Sequence, residues 1–184
     1  MSSSNRKLRY EFRVWGEHEA ARRQLSMLAD VERHEQLDDC YLLVDDSGYN
    51  AKIRRNCLKI KRLVEVTLGF QRWSSSTSDL VGPVPQLDAF GGVRAVFVTK
   101  ERCRFRFGSI RAEVTEVDVI GQPGTLRTLA IEGKDLDDLI RLRSALGLAH
   151  LPNVALHLAV EGAAHRLAGR ARQRFPAVGG LPPV

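Results

Sequence analysis

From Lys7 to Trp15 polar and apolar residues alternate, with Arg9, Glu11 and Arg13 on one side and Leu8, Tyr10, Phe12 and Val14 on the other. That two-residue period predicts a strand. Between Glu17 and Leu28 the spacing becomes helical, with Ala20, Ala21, Leu25 and Leu28 recurring on one face. A second strand is expected over Glu32 to Val44, ending in the apolar "CYLLV", and "DDSGYN" has the composition of a turn. Residues 49–63, "YNAKIRRNCLKIKRL", read as two strands joined by a tight turn near Arg55-Asn56. Ser74 to Gly92 is rich in Ser, Pro and Gly, with a short helix expected from Pro85 to Phe90.

"VRAVFVTKERCRFRFGSI" then reads as an apolar strand, a turn near Lys100 and a second strand carrying Arg102, Arg104 and Arg106 on one face. In "IRAEVTEVDVIG", Glu116 and Asp118 share one face and Val117 and Val119 the other. "QPG" is a turn, and "TLRTLAIEG" is the last clear strand. Asp135 has the position of an N-cap, ahead of a stripe of Leu136, Leu139, Ile140 and Leu146 that Gly147 ends. A last helix is expected from Asn153 to Gly169, and "FPAVGGLPPV" is a tail. Seven or eight mostly antiparallel strands, with helices between and after them, make an α+β chain.

Composition narrows this only a little. The 184 residues suffice for one domain with a core, and 43% hydrophobic content argues against disorder throughout. A formal charge of +6 favours an anionic partner. Cys40, Cys57 and Cys103 are widely separated and form no C-x-x-C pair, so the spacing suggests neither a disulfide framework nor a thiolate zinc site. No apolar leader or membrane span is visible, and the expectation is a soluble, cytoplasmic protein.

Charge patterning changes the picture more. Lys52/Arg54, Lys59/Lys61 and Arg102/Arg104/Arg106 each share a strand face, while Glu11, Glu116/Asp118 and Glu132 supply acids on others. Two readings stand side by side at this point. Alternating charge is what the wet face of an antiparallel sheet looks like. The same faces turned inward would line a closed sheet with cations and carboxylates. The density of cation-x-cation repeats favours the lumen. Such a lumen suits a polyphosphate, whose oxygens Lys and Arg neutralise with charge-assisted hydrogen bonds, and a divalent metal held by the carboxylates.

The order of these features resembles the CYTH superfamily, the triphosphate tunnel metalloenzymes, over roughly residues 7 to 148. The family's Glu-x-Glu-x-Lys strand is similar to "RYEFR", in which Glu11 matches the second Glu, Arg13 stands for the Lys and Arg9 replaces the first Glu. Its basic strands resemble "AKIRRNCLKIKRL", giving Lys52, Arg54, Lys59 and Lys61, and "KERCRFRF", giving Arg102 and Arg104. Its acidic strands resemble "EVTEVDV" and "TLRTLAIEG", which bring in Glu116, Asp118 and Glu132; Ala130 stands where the family has a further Glu.

The resemblance implies an antiparallel eight-stranded β-tunnel with flanking helices, followed by a C-terminal helix and tail over residues 149–184. It implies a triphosphate (nucleoside, thiamine or inorganic) or another polyphosphate as ligand, bound by Arg9, Arg13, Lys52, Arg54, Lys59, Lys61, Arg102 and Arg104. In a catalytic version Lys52, Arg54 and Lys59 would orient the phosphates for hydrolysis or cyclisation. Glu11, Glu116, Asp118 and Glu132 would hold Mg²⁺ or Mn²⁺. Because Arg9 and Ala130 remove carboxylates from that set, a binder without catalysis is the alternative. A homodimer is left open.

Weaker signals have plainer explanations. His157, Glu161 and His165 recur every fourth residue and could share a metal, but a solvated helix stripe gives the same spacing. Arg166, Arg170, Arg172 and Arg174 could bind nucleic acid, but a frayed basic helix end explains them as well. Trp15 and Trp73 read as core or rim aromatics. No P-loop, dinucleotide glycine pattern, G-x-S-x-G or H-E-x-x-H occurs, which argues against those enzyme classes.

Overall fold

The computed structural model describes residues 7–44, 46, 48–80 and 93–164. Eight antiparallel strands close into a barrel: β1 (Lys7–Trp15), β2 (Val31–Leu43), β3 (Tyr49–Arg54), β4 (Cys57–Thr67), β5 (Phe70–Asp79), β6 (Arg94–Phe107), β7 (Ile110–Val119) and β8 (Thr125–Gly133). Around the barrel they run in the order β1-β5-β4-β3-β2-β6-β7-β8. Helix α1 (Glu19–Leu28) follows β1, α2 (Leu136–Ala145) follows β8, and α3 covers residues 156–164.

Local chemistry sets the hairpins. Arg54 pairs with Cys57 across a two-residue turn in which Arg55 (φ 48°) and Asn56 (φ 59°) are both left-handed. That is the type I′ pattern, whose twist matches the flanking strands. The turn expected at Arg55-Asn56 is therefore where it should be. The expected break at Lys100 is not: β6 runs unbroken from Arg94 to Phe107 and pairs residue by residue with β2 from Val31↔Arg106 to Leu43↔Arg94. Ser74–Asp79, the start of the Ser-, Pro- and Gly-rich stretch, is the second half of β5 and pairs with β4 from Arg62↔Ser74 to Cys57↔Asp79. Ladder pairing on this strand outweighs the low strand propensity of serine. The expected helix from Pro85 to Phe90 lies outside the described residues.

Alternation sorts every strand into an inner and an outer face. On the outside, Phe12, Val14, Phe105, Leu129 and Ile131 form a core with Ala21 and Leu25 of α1 and Leu139 and Leu142 of α2. Each fully buried aliphatic or aromatic side chain contributes about 1.5–3 kcal/mol there. Asp135 caps α2 by accepting from the Asp138 N–H, and Gly147 (φ 70°) ends that turn, both as the sequence indicates.

Inside, a second core of Tyr41, Leu43, Val96, Val98, Val117 and Val119 packs on Leu156, Val160 and Ala163 of α3. The helix thus fills one end of the bore, so the interior is a pocket rather than a through-going tunnel. Asn153, just before α3, accepts from the Arg13 N–H (2.9 Å) and donates to the carbonyls of Glu11 (3.0 Å) and Gly69 (2.9 Å). These bonds satisfy backbone groups where β1 parts from β5. Among the described residues no helix is long and apolar enough to cross a membrane.

Candidate functional site

The bore above the α3 plug is a cavity of about 390 Å³, within the size range of small-molecule sites. Its walls come from the inward rows of the strands. β3 contributes Asn50, Lys52 and Arg54, β4 contributes Lys59 and Lys61, and β6 contributes Lys100, Arg102 and Arg104. β1 adds Glu11 and Arg13, β7 adds Arg111 and Glu113, and β8 adds Ala130 and Glu132. Hydroxyls of Ser75 and Thr77 on β5 complete the lining. The cationic faces of β3, β4 and β6 thus point in, which decides between the two readings of the alternation for those strands.

Two ion networks organise the lining. In the first, Asp39 is completely buried and serves three cations at once. Its carboxylate accepts from Arg54 Nε (2.5 Å) and Nη2 (2.7 Å), Lys52 Nζ (3.2 Å) and Lys100 Nζ (2.7 Å). Lys100 also donates to the Tyr41 hydroxyl at 2.6 Å. Burial alone would raise the Asp39 carboxyl, but the Arg54 hydrogen bond and the lysine charges overcome it and hold the pKa far below the ordinary range.

The cations meet the opposite situation. Burial, reinforced by the neighbouring Lys100 and Arg54 charges, lowers the Lys52 ammonium well below the ordinary lysine value. Burial brings Lys100 down to about 8, against the pull of Asp39. Lys52 sits directly across from Lys59 in the β3–β4 register, and Lys59 makes no ion pair among the described residues. Like charges placed opposite one another are destabilising. This corner of the cavity therefore holds Lys59 beside three basic side chains that already share one carboxylate.

The second network is a relay of alternating charge. Lys61 Nζ meets Glu11 Oε2 (2.7 Å), Arg13 meets Glu11 Oε1 (3.2 Å) and Glu113 Oε1 (2.7 Å), and Arg102 meets Glu113 Oε2 (2.9 Å). Glu35 closes it, bonded to Arg102 (2.6 Å) and Arg104 (3.0 Å). Burial works to raise Glu11, but Lys61 and Arg13 bring it down to about 2. Glu113, opposed in the same way by burial, is held below the usual range by Arg13 and Arg102.

The expected metal ligands are only partly brought together. Glu11 and Glu132 are cross-strand partners on the inner face. Glu116 and Asp118 are not in the bore: they lie on the outer face of β7, where Glu116 pairs with Arg127 (3.0 Å) and Asp118 accepts from Thr125 (2.6 Å). With a period of two, choosing the wrong row of a strand turns every side chain over. The inward acid of β7 is Glu113, which the sequence reading passed over.

Nor do the lumen carboxylates converge as a cation cage. Both oxygens of Glu11 and both of Glu113 are taken by arginine or lysine. Ala130 faces Arg13 on one side and Glu113 on the other, so the Arg13–Glu113 pair spans β8 over its methyl group. The guanidinium of Arg13 occupies the place between carboxylates that a hard cation would need, and the lining does not fit an Mg²⁺ or Mn²⁺ site in this arrangement.

Of the expected phosphate ligands, Arg13, Lys52, Arg54, Lys59, Lys61, Arg102 and Arg104 all line the cavity, whereas Arg9, cross-strand from Trp73, does not. Asp39, Tyr41, Lys100 and Glu35 were not anticipated. For Lys100 the signal was present, because it continues the even-numbered row of Arg102 and Arg104, but the supposed turn hid it. His157 is buried against the Trp73 ring (5.9 Å between centroids) and Glu161 pairs with Arg94 (3.6 Å); His165 lies outside the described residues.

No protein-family model and no curated protein matches the chain. Solved structures do. The PH1012 protein of Pyrococcus horikoshii superposes with a TM-score of 0.58 at 16% identity, over 79% of this chain and 99% of that one. The Mimivirus capping enzyme triphosphatase gives 0.53 at 12% identity, over 80% and 90%. HpAC1 of Hippeastrum, a putative adenylyl cyclase with a dominant triphosphatase activity, gives 0.51 at 11% identity, over 84% and 95%. The closed eight-stranded antiparallel barrel and these likenesses together show that the chain has a CYTH-like barrel fold.

Proposed function

We propose that the barrel binds a triphosphate compound, or another short polyphosphate, through its inward cations. The observation that carries this is the corner where Lys52, Arg54 and Lys100 share Asp39 while Lys59 stands opposite Lys52. Such a cluster costs stability in the empty protein and is relieved by an anion with several adjacent oxygens. Lys52, Arg54 and Lys59 would take one end of the phosphate chain, and Arg102, Arg104 and Lys61 the rest. The cations face a bore of small-molecule size, which supports a small anion over a nucleic-acid strand.

A second reading, hydrolysis or cyclisation of the bound triphosphate with Mg²⁺ or Mn²⁺, is supported by the triphosphatases among the structural neighbours. It would require Glu11 and Glu132, with Glu113, to be released from their arginine and lysine partners. Release of phosphate from inorganic triphosphate and thiamine triphosphate, and of phosphate or pyrophosphate from ATP, with each metal and with chelator, separates the two. The binder reading predicts no release above buffer in any condition. Metal-dependent release would establish the enzyme reading instead.

A further inference from the structure

On the outer face of the β2–β6 pair, three side chains of different chemistry meet. His34 and Cys103 are direct cross-strand partners, and Glu32 lies two residues from His34 on the same face. Cys103 Sγ is 3.1 Å from Glu32 Oε1, His34 Nε2 is 3.2 Å from that same oxygen, and Sγ and Nε2 are 3.8 Å apart. Among the described residues this is the group of His, Cys and acidic side chains whose ligand atoms all lie within 4.8 Å of one another.

Those separations have a meaning for one kind of ion. A tetrahedron with a metal–sulfur bond of about 2.3 Å and metal–nitrogen or –oxygen bonds of about 2.1 Å has edges of about 3.4–3.6 Å. The three observed separations bracket that value, so closing them on a metal needs shifts of only a few tenths of an ångström. A thiolate, an imidazole and a carboxylate together are the donor set of Zn²⁺, while Mg²⁺ and Ca²⁺ demand oxygen alone. Cys103 is buried and fixed by the outer core, whereas Glu32 and His34 are exposed and can adjust. His34 and Cys103 also border a cavity of about 220 Å³ shared with His18 and Arg22, which leaves room for water at the fourth position.

We infer that Glu32, His34 and Cys103 form a zinc site on the barrel's outer wall, independent of the lumen. Binding would displace the Sγ proton to solvent and tie β2 to β6 directly behind Glu35, Arg102 and Arg104, which project from the other face of the same two strands. The spacing of the cysteines concealed this site, because its ligands are 69 residues apart in sequence and meet only through the β2–β6 register.

Chelator-treated protein titrated with Zn²⁺ and with Co²⁺ tests the site. The expected result is one metal per chain, a sulfur-to-cobalt charge-transfer band with Co²⁺, and a rise in Tm with Zn²⁺. His34→Ala, an exposed change that leaves the core intact, should weaken affinity about 10-fold or more. Cys103→Ser should remove the charge-transfer band, and the lumen variant Glu132→Gln should keep it. Absence of the band in the wild type, unchanged affinity in His34→Ala, or loss of the metal in Glu132→Gln would each overturn the inference.

Discussion

Asp39 is the residue on which the lumen turns. It is completely buried, yet its neighbours bring three positive charges, so it stabilises the fold only because each oxygen is fully bonded. Asp39→Asn leaves those cations uncompensated and is expected to destabilise the protein by about 3–5 kcal/mol, measured by chemical denaturation. Added tripolyphosphate should then raise the Tm of Asp39→Asn by more than it raises the wild type, because the anion replaces the missing carboxylate. An equal rise in both would show that the anion binds elsewhere. At this scale the sequence was informative about cations and weak about acids. Lys52, Arg54, Lys59 and Lys61 alternate cleanly, but Asp39 sits beside Asp38 and Glu113 beside a more conspicuous Glu116/Asp118 row. Which acid faces inward depends on register, and register is fixed by partner strands far away in the chain.

The elements were legible where their signal was local and lost where it was not. The I′ turn at Arg55-Asn56, the Asp135 cap and the Gly147 stop are each specified by a few adjacent residues. The serines of β5 carry no such signal, and their strand exists because β4 and β1 pair with it. The short helix at residues 156–164 is another non-local feature: a helical pattern was visible, but not that its Leu156 and Val160 would stop the bore. Asn153 ties that segment to β1 and β5 by three hydrogen bonds. Asn153→Ala should therefore lower stability by about 1–3 kcal/mol in denaturant melts, since it strands the Arg13 N–H and the Glu11 carbonyl. A change within a few tenths of a kcal/mol would mean that the junction is not held by this residue.

For the whole molecule, a barrel with α1 and α2 packed on its outer wall and rows of cations and carboxylates lining its bore inverts the usual placement of a charged cluster. The fold supports this by pairing carboxylates with most of the cations and leaving one corner, around Lys52 and Lys59, in positive excess. This excess is expected to bind a chain of phosphates without needing a metal. Calorimetric titration of tripolyphosphate in chelator measures it most directly. The expected result is one site per chain at pH 7, weakened about 10-fold or more in Lys52→Met and Lys59→Met. Binding should also weaken as the pH rises through about 8, because burial lowers Lys100 to that value and the neutral amine no longer attracts the anion. No binding in chelator, or binding indifferent to both substitutions, would contradict it.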